Sequence, residues 1–148
     1  MNHIYIIVAI LAGVIFALQP ALNENVARSL SSPIQAALIS FSVGTILLLI
    51  INFSLGITFP SITKLQTIPW WLWLSGGAIG VFVVTGAIII QPKIGAGAWV
   101  AWYVFGQLSM SVLIDNYGWL GLEIHPINLM RTIGVFLLAI GAILIARY

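Results

Sequence analysis

The chain has 148 residues, of which 61% are hydrophobic and only 5% are charged. Soluble domains are about 25% charged, so the composition excludes a soluble single-domain enzyme and predicts an integral membrane protein. The net charge of +2 comes from five basic and three acidic residues. These form no basic stripe for nucleic acid, and because cysteine is missing, disulfides and cysteine-bound metals are excluded as well.

Five apolar stretches are long enough to cross a bilayer, whose hydrocarbon core of about 30 Å needs about 20 helical residues. They predict an all-α integral membrane protein with a single domain over residues 1–148. In chain order, the predicted transmembrane helices cover residues 4–22, 34–51, 70–90, 95–114 and 127–146. Connections rich in Asn, Ser, Gly and Pro separate these helices, and the shortest of them is Gln91-Pro92-Lys93. Because the connections are short, neighbouring helices are expected to be antiparallel.

The first predicted helix ends in polar residues at helical spacing. Gln19 and Asn23 are four positions apart and flank Pro20, which has no amide hydrogen to donate to the preceding turn. We expect Gln19 and Asn23 to line a substrate pathway. Glu24 and Arg28 follow at the same spacing and are interpreted as an ion pair at the membrane interface.

The fourth predicted helix carries a second polar stripe. Gln107, Ser111 and Asp115 follow one another at four-residue spacing, and polar groups at membrane depth usually face a bundle interior or a water-filled cavity. Gln107 and Ser111 are therefore candidate pathway residues. Asp115 either binds a proton or cation or forms a salt bridge with Arg131 in the last helix. Trp102 belongs either to an interfacial aromatic belt or to an aromatic wall for an organic or cationic substrate, and we expect it to line the substrate pathway.

The last predicted helix carries a narrow seam of small and apolar residues. This seam consists of Gly134, Leu137, Gly141 and Leu144, which recur at heptad spacing. Small residues allow transmembrane helices to approach closely. The seam is interpreted either as a dimer contact or as internal packing.

Catalytic and metal-binding patterns are missing from the sequence. His3 and His125 are far apart, and no Ser-His-acid set or glycine-rich phosphate loop is present. We therefore expect no enzymatic activity, no cofactor and no metal site.

The basic residues specify the membrane orientation only weakly. With five spans, Lys64 and Arg131 fall on one side, whereas Arg28, Lys93 and Arg147 fall on the other. The positive-inside rule then favours a cytoplasmic C-terminal side, by three basic residues against two. Either a partner determines the orientation, or the chain inserts in both orientations and pairs antiparallel with itself.

Several short motifs follow one another in a characteristic order along the chain. They are Gln19 with Asn23, Ile39-Ser40-Phe41, Gly44-Thr45, Gly76-Gly77 with Gly80, Pro92 with Gly95, Gly106-Gln107 with Ser111 and Asp115, Gly118, and Arg131 with Gly134. In this order the chain resembles, over essentially its whole length, the YdcZ-like branch of the drug/metabolite transporter (DMT) superfamily. The resemblance implies a multi-pass protein of the bacterial cytoplasmic (inner) membrane that forms one five-helix half of a DMT fold.

The resemblance also implies a partner for these five helices. Larger members of the superfamily carry two inverted halves, so a second copy or a similar five-helix subunit is expected. Small multidrug-resistance relatives have an acidic residue midway along the first helix, and residues 9–18 contain none, which argues against their proton-coupled cation exchange. We expect a lipid-embedded transporter subunit that moves a small solute by alternating access in an antiparallel homodimer or heterodimer. The alternatives are a dimeric ion or solute channel and a non-transporting membrane scaffold.

Overall fold

The computed structural model describes residues 3–148. Five of its helices are long and apolar enough to cross a membrane: α1 (His3–Leu30), α2 (Pro33–Ser54), α4 (Trp70–Ile94), α5 (Ala96–Tyr117) and α6 (Leu129–Arg147). A short helix, α3 (Ile62–Gln66), lies between α2 and α4, and a single 3₁₀ turn (Trp119–Gly121) follows α5. This architecture confirms the predicted all-α membrane protein with five transmembrane helices.

The contacts within the chain divide it into two compact units, one ending at Ile89 and the other covering Ile90–Tyr148. In the N-terminal unit, α1 packs against α2. The buried centre of this unit is formed by Ala27 of α1, Ala36 and Ala37 of α2, and Ile88 of α4, with Val84 packed against them. Alanine at these positions allows the helix backbones to approach closely.

In the C-terminal unit, α5 and α6 form an antiparallel hairpin. Ala98 of α5 and Ala142 of α6 are buried. At the same end of the hairpin, a Cβ atom added to Gly97 would lie 3.4 Å from Cγ2 of Ile145. Small residues therefore keep these two helices close at the end remote from their connection.

Helix α1 extends about two turns beyond its predicted end at residue 22 and stops at Leu30. Glu24 and Arg28 form an ion pair within this extension, and an i, i+4 pair of this kind stabilises a helix. The connection to α2 is therefore short. Ser32 caps α2 by accepting a hydrogen bond from the amide of Gln35.

Helix α4 also extends beyond its predicted end, from residue 90 to Ile94. The segment Gln91-Pro92-Lys93, predicted as a connection, is therefore helical. The break occurs at Gly95, whose φ of +90° is readily adopted only by glycine. The remaining predicted helix ends lie close to the observed ones.

Candidate functional site

Polar and charged residues of α5 and α6 meet in a groove of about 270 Å³ on the hairpin. Its polar and charged lining consists of Ser111, Asp115 and Arg131. The rest of the lining is apolar or small and comprises Leu108, Val112, Gly134 and Val135. We call this cavity the Asp–Arg groove.

The ends of the two helices bring the charged residues of the groove together. Asp115 lies in the last turn of α5, which is terminated by Gly118 in the left-handed conformation with a φ of +63°. Arg131 lies in the first turn of α6, where its amide donates a hydrogen bond of 2.9 Å to the capping side chain of Asn128. Because the helices are antiparallel, these two turns are neighbours at the same end of the hairpin.

Arg131 and Asp115, which both line the Asp–Arg groove, form an ion pair. The Nη1 atom of Arg131 lies 3.3 Å from Oδ2 of Asp115, and each side chain is 34% exposed. The same Nη1 donates a hydrogen bond of 2.9 Å to the carbonyl oxygen of His125. A guanidinium has five N–H donors, and the Nε and Nη2 atoms of Arg131 have no hydrogen-bond partner among residues 3–148.

The connection between α5 and α6 is fastened to the end of α5. The amide of His125 donates to the carbonyl oxygen of Asp115 at 2.9 Å, and the amide of Ile127 donates to Oδ1 of Asn116 at 2.9 Å. These contacts hold the carbonyl group of His125 where Arg131 can reach it. The sequence analysis did not identify Asn116 or the backbone role of His125.

The hydroxyl group of Ser111 is available to a ligand. It makes no hydrogen bond within the part of the chain that the structure describes. By contrast, Ser109 donates to the carbonyl oxygen of Phe105 at 2.7 Å, and Thr132 donates to that of Asn128 at 3.1 Å.

The other two candidate residues on α5 lie outside the Asp–Arg groove. Gln107 is exposed and shares the helix face of Ser111 and Asp115, but it does not line the groove. Trp102 is about 140° from Gln107 around the helix, and its ring contacts that of Phe105 with centroids 6.1 Å apart. The polar stripe and Trp102 therefore lie on different flanks of α5.

A second groove, of about 390 Å³, lies on the other flank of the hairpin and is apolar. Its lining includes Phe105, Leu113 and Phe136, together with Ser109 and Thr132. The hydroxyl groups of these last two residues are bonded to their own helices, so they offer little to a polar solute. Among the described lining residues, side chains with free hydrogen-bonding groups therefore lie in the Asp–Arg groove and not in the second groove.

The candidate residues of α1 lie in the N-terminal unit. Asn23 is 8% exposed, and its Nδ2 atom donates a hydrogen bond of 3.4 Å to Oγ of Ser40 in α2. Gln19, one turn earlier, is half-buried. Asn23 therefore joins α1 to α2 through a polar contact.

A comparison with protein families tests the resemblance to the YdcZ-like branch that the sequence motifs indicate. A family model described as "Putative inner membrane exporter, YdcZ" matches residues 4–144. The chain belongs to the YdcZ family. This result confirms the resemblance, and with the five apolar helices it identifies a multi-pass inner-membrane protein with a transporter-like role. No curated protein and no solved structure matches the chain.

In this YdcZ family member, the predicted seam on α6 is largely accessible. Leu137 and Leu144 are 60% and 54% exposed, Gly134 is exposed, and Gly141 is half-buried. Gly134 also lines the Asp–Arg groove. The seam therefore borders the site.

The sequence analysis missed one buried polar side chain of this YdcZ family protein. Gln91 of α4 is only 4% exposed, and its Oε1 atom has no hydrogen-bond partner among the described residues. The adjacent proline and lysine suggested a connection rather than a helix. The signal that could have identified it is the uninterrupted apolar run that leads into Gln91.

Proposed function

We propose that this YdcZ family protein is a transporter subunit that moves a small solute across the inner membrane by alternating access. The observation that carries the proposal is the Asp–Arg groove, where Ser111, Asp115 and Arg131 line a cavity whose other lining residues are apolar or small. Ionisable residues in transmembrane segments are costly and commonly mark substrate or ion pathways. Such a subunit carries out no covalent chemistry.

The size of the groove favours a small solute. Pockets for drug-sized ligands typically measure about 300–1,000 Å³, and the Asp–Arg groove, at about 270 Å³, lies just below this range. We therefore favour a compact polar substrate over a large aromatic drug. Gln19, Asn23, Trp102 and Gln107 remain predicted pathway residues of the same transporter.

The working unit we propose is an antiparallel dimer, formed with a second copy or with a similar five-helix subunit. The nearly balanced basic residues support insertion in both orientations, and the exposed Gly134, Leu137 and Leu144 offer a surface for a second α6. In such a dimer, the two Asp–Arg grooves would open at opposite membrane surfaces. Inverted halves of this kind are the basis of alternating access in many transporters.

The test is solute exchange by the purified protein in liposomes. A panel of radiolabelled amino acids, amines, carboxylates and sugars is offered outside vesicles that contain each unlabelled solute. A carrier predicts saturable uptake that is stimulated by the solute inside. Uptake that neither saturates nor responds to internal solute would favour a channel, and no uptake of any solute would favour a scaffold.

Two matched serine variants test whether solute exchange depends on the Asp–Arg groove. Ser111→Ala removes a free hydroxyl group from the Asp–Arg groove and should reduce exchange several-fold. Ser109→Ala removes a hydroxyl group that is bonded to its own helix on the other flank, so exchange should be nearly unchanged. Equal effects of the two substitutions would contradict the assignment of the groove.

The predicted pathway residues have a test of their own. Replacing Gln19 and Gln107 together with leucine removes two polar side chains from α1 and α5. A transporter or channel that uses them should lose its flux. Flux that persists in the double variant would show that these residues are not on the route.

A further inference from the structure

We propose that the Asp–Arg groove binds a small zwitterion that has an apolar body and an amino and a carboxylate group attached to the same carbon atom. This inference rests on the proposed function, because it names the substrate class of that transporter. The charge, the free hydrogen-bonding atoms and the walls of the groove all favour such a ligand.

The charge of the groove favours a ligand with both signs. Among the described residues, Asp115 and Arg131 are the charged ones that line it, and they are paired at 3.3 Å. A simple anion or cation would compete with one member of the pair and leave the other without its counter-charge, which is costly away from water. A zwitterion placed antiparallel beside the pair offers each residue an opposite charge and leaves the ion pair intact.

Free atoms are available for both ends of such a ligand. The Nε and Nη2 atoms of Arg131 have no partner in residues 3–148, and a guanidinium edge of this kind binds a carboxylate through two parallel hydrogen bonds. An ionised carboxylate accepts several hydrogen bonds, so Asp115 can accept from an ammonium group while it remains paired with Arg131. The hydroxyl group of Ser111 adds a further donor and acceptor.

The spacing within the ion pair restricts the distance between the two charges of the ligand. Asp115 and Arg131 are neighbours, with Oδ2 and Nη1 3.3 Å apart, so a ligand that contacts both residues must hold its own opposite charges close together. This condition is met when both groups are attached to one carbon. A chain of several carbons between them would move at least one group away from its partner.

The walls of the groove favour an apolar body. Leu108, Val112 and Val135 line it, and a Cβ atom added to Gly134 would meet nothing within 4 Å. The side of the groove at Gly134 is therefore open to a branched aliphatic group. Burial of such a group against these side chains would remove its apolar surface from water and so favour binding.

The experiment measures binding separately from flux. The purified protein in lipid nanodiscs is titrated with radiolabelled leucine, and the competitors are 4-methylpentanoate and 3-methylbutylamine. These have the same branched body as leucine but lack the amino or the carboxylate group, respectively. A fourth probe, 4-aminobutyrate, has both charges but separates them by three carbons.

We expect saturable leucine binding and at least about tenfold weaker competition by the other three probes, which corresponds to about 1.4 kcal/mol. Arg131→Gln and Asp115→Asn should each weaken leucine binding by at least about tenfold. Arg131→Lys retains the charge but loses the bidentate edge, so an intermediate loss is expected. Ser109→Ala should bind leucine like the unaltered chain.

Three results would overturn the proposal. One is binding of 4-methylpentanoate or 3-methylbutylamine as tight as that of leucine, and another is no binding of any probe. The third is unaltered leucine binding in folded Arg131→Gln and Asp115→Asn variants, with folding checked by size-exclusion chromatography and circular dichroism. Saturable exchange of a different solute in liposomes would in each case leave the proposed transporter function standing, whereas no exchange of any solute would reject that function.

Discussion

Gly118 combines two properties that no other residue type can provide at the end of α5. Its φ is +63°, and a Cβ atom would lie 2.7 Å from Cγ1 of Ile124 and 3.3 Å from the carbonyl oxygen of Leu122. A φ of this value is the left-handed conformation, which glycine adopts without steric cost. Because glycine has no Cβ atom, the connection can fold back closely onto the end of the helix.

Gly118→Ala is therefore expected to destabilise the hairpin. The left-handed conformation costs a non-glycine residue about 1–2 kcal/mol, and the overlap with Ile124 adds to this cost. The free energy of unfolding in detergent micelles should fall by more than about 2 kcal/mol, measured from the unfolding transition.

The matched control for this prediction is Gly121→Ala. Gly121 also has a positive φ, of +78°, but a Cβ atom there would meet nothing within 4 Å. Only the backbone cost of about 1–2 kcal/mol is expected. Equal losses in the two variants would show that the contact between Gly118 and Ile124 has no energetic effect.

The residues of the Asp–Arg groove were only partly predictable from the sequence. Four-residue spacing places Ser111 and Asp115 on one helix face, and a short antiparallel connection brings the start of α6 beside the end of α5. The contacts of Asn116 and His125 could not be inferred in the same way. They depend on the path of irregular backbone between Tyr117 and Leu129, for which hydrophobic periodicity gives no information.

At the scale of helices, α1 and α2 are joined by a polar contact within an apolar interface. Asn23 is 8% exposed and donates to Ser40 at 3.4 Å. Hydrogen bonds between transmembrane helices contribute on average about 0.6 kcal/mol and at most about 1.7 kcal/mol. The contact is therefore expected to stabilise the pair modestly.

A double-mutant cycle with Asn23→Ala and Ser40→Ala tests this expectation. The two substitutions should be non-additive by about 0.6 kcal/mol, measured from unfolding in mixed micelles. Asn23→Ala combined with Ser42→Ala is the control, because Ser42 is exposed on another face of α2 and the two effects should add. Additivity in the first cycle would mean that the hydrogen bond makes no contribution.

The helix ends show where hydropathy succeeds and where it fails. Five long apolar runs were sufficient to identify the five spans. Hydropathy could not identify Leu30 as the end of α1, because polar residues such as those after Leu22 occur both in helices and in the connections that follow them. In α4, Pro92 predicted an end after residue 90, whereas the helix ends just before Gly95, which has a positive φ.

At the scale of the whole molecule, membrane orientation is the property most open to a direct test. The chain contains no cysteine, so a single Thr58→Cys substitution in the exposed connection between α2 and α3 introduces a unique label. Insertion in both orientations predicts partial labelling of intact cells by a membrane-impermeant maleimide. Labelling of all molecules, or of none, would contradict dual insertion.

The balance of basic residues predicts how this labelling should change. Thr63→Lys with Gln66→Lys adds two positive charges to the connection that contains Lys64. The positive-inside rule then favours a cytoplasmic location for this connection, so labelling of Cys-substituted position 58 should decrease. The neutral pair Thr63→Gln with Gln66→Asn should leave the labelled fraction unchanged.

The unequal lengths of the helices have a consequence for the lipid that surrounds them. At about 1.5 Å per residue, the 28 residues of α1 extend about 42 Å, whereas the 19 residues of α6 extend about 28 Å. A long helix adapts to a thicker bilayer by reducing its tilt, but α6 has no spare length. Its terminal turns hold Arg131 and Arg147, so thickening would draw these guanidinium groups towards the acyl chains. Solute exchange should therefore decline as vesicles are prepared from phosphatidylcholines of increasing acyl-chain length, and hydrophobic mismatch would limit the membranes in which the protein works.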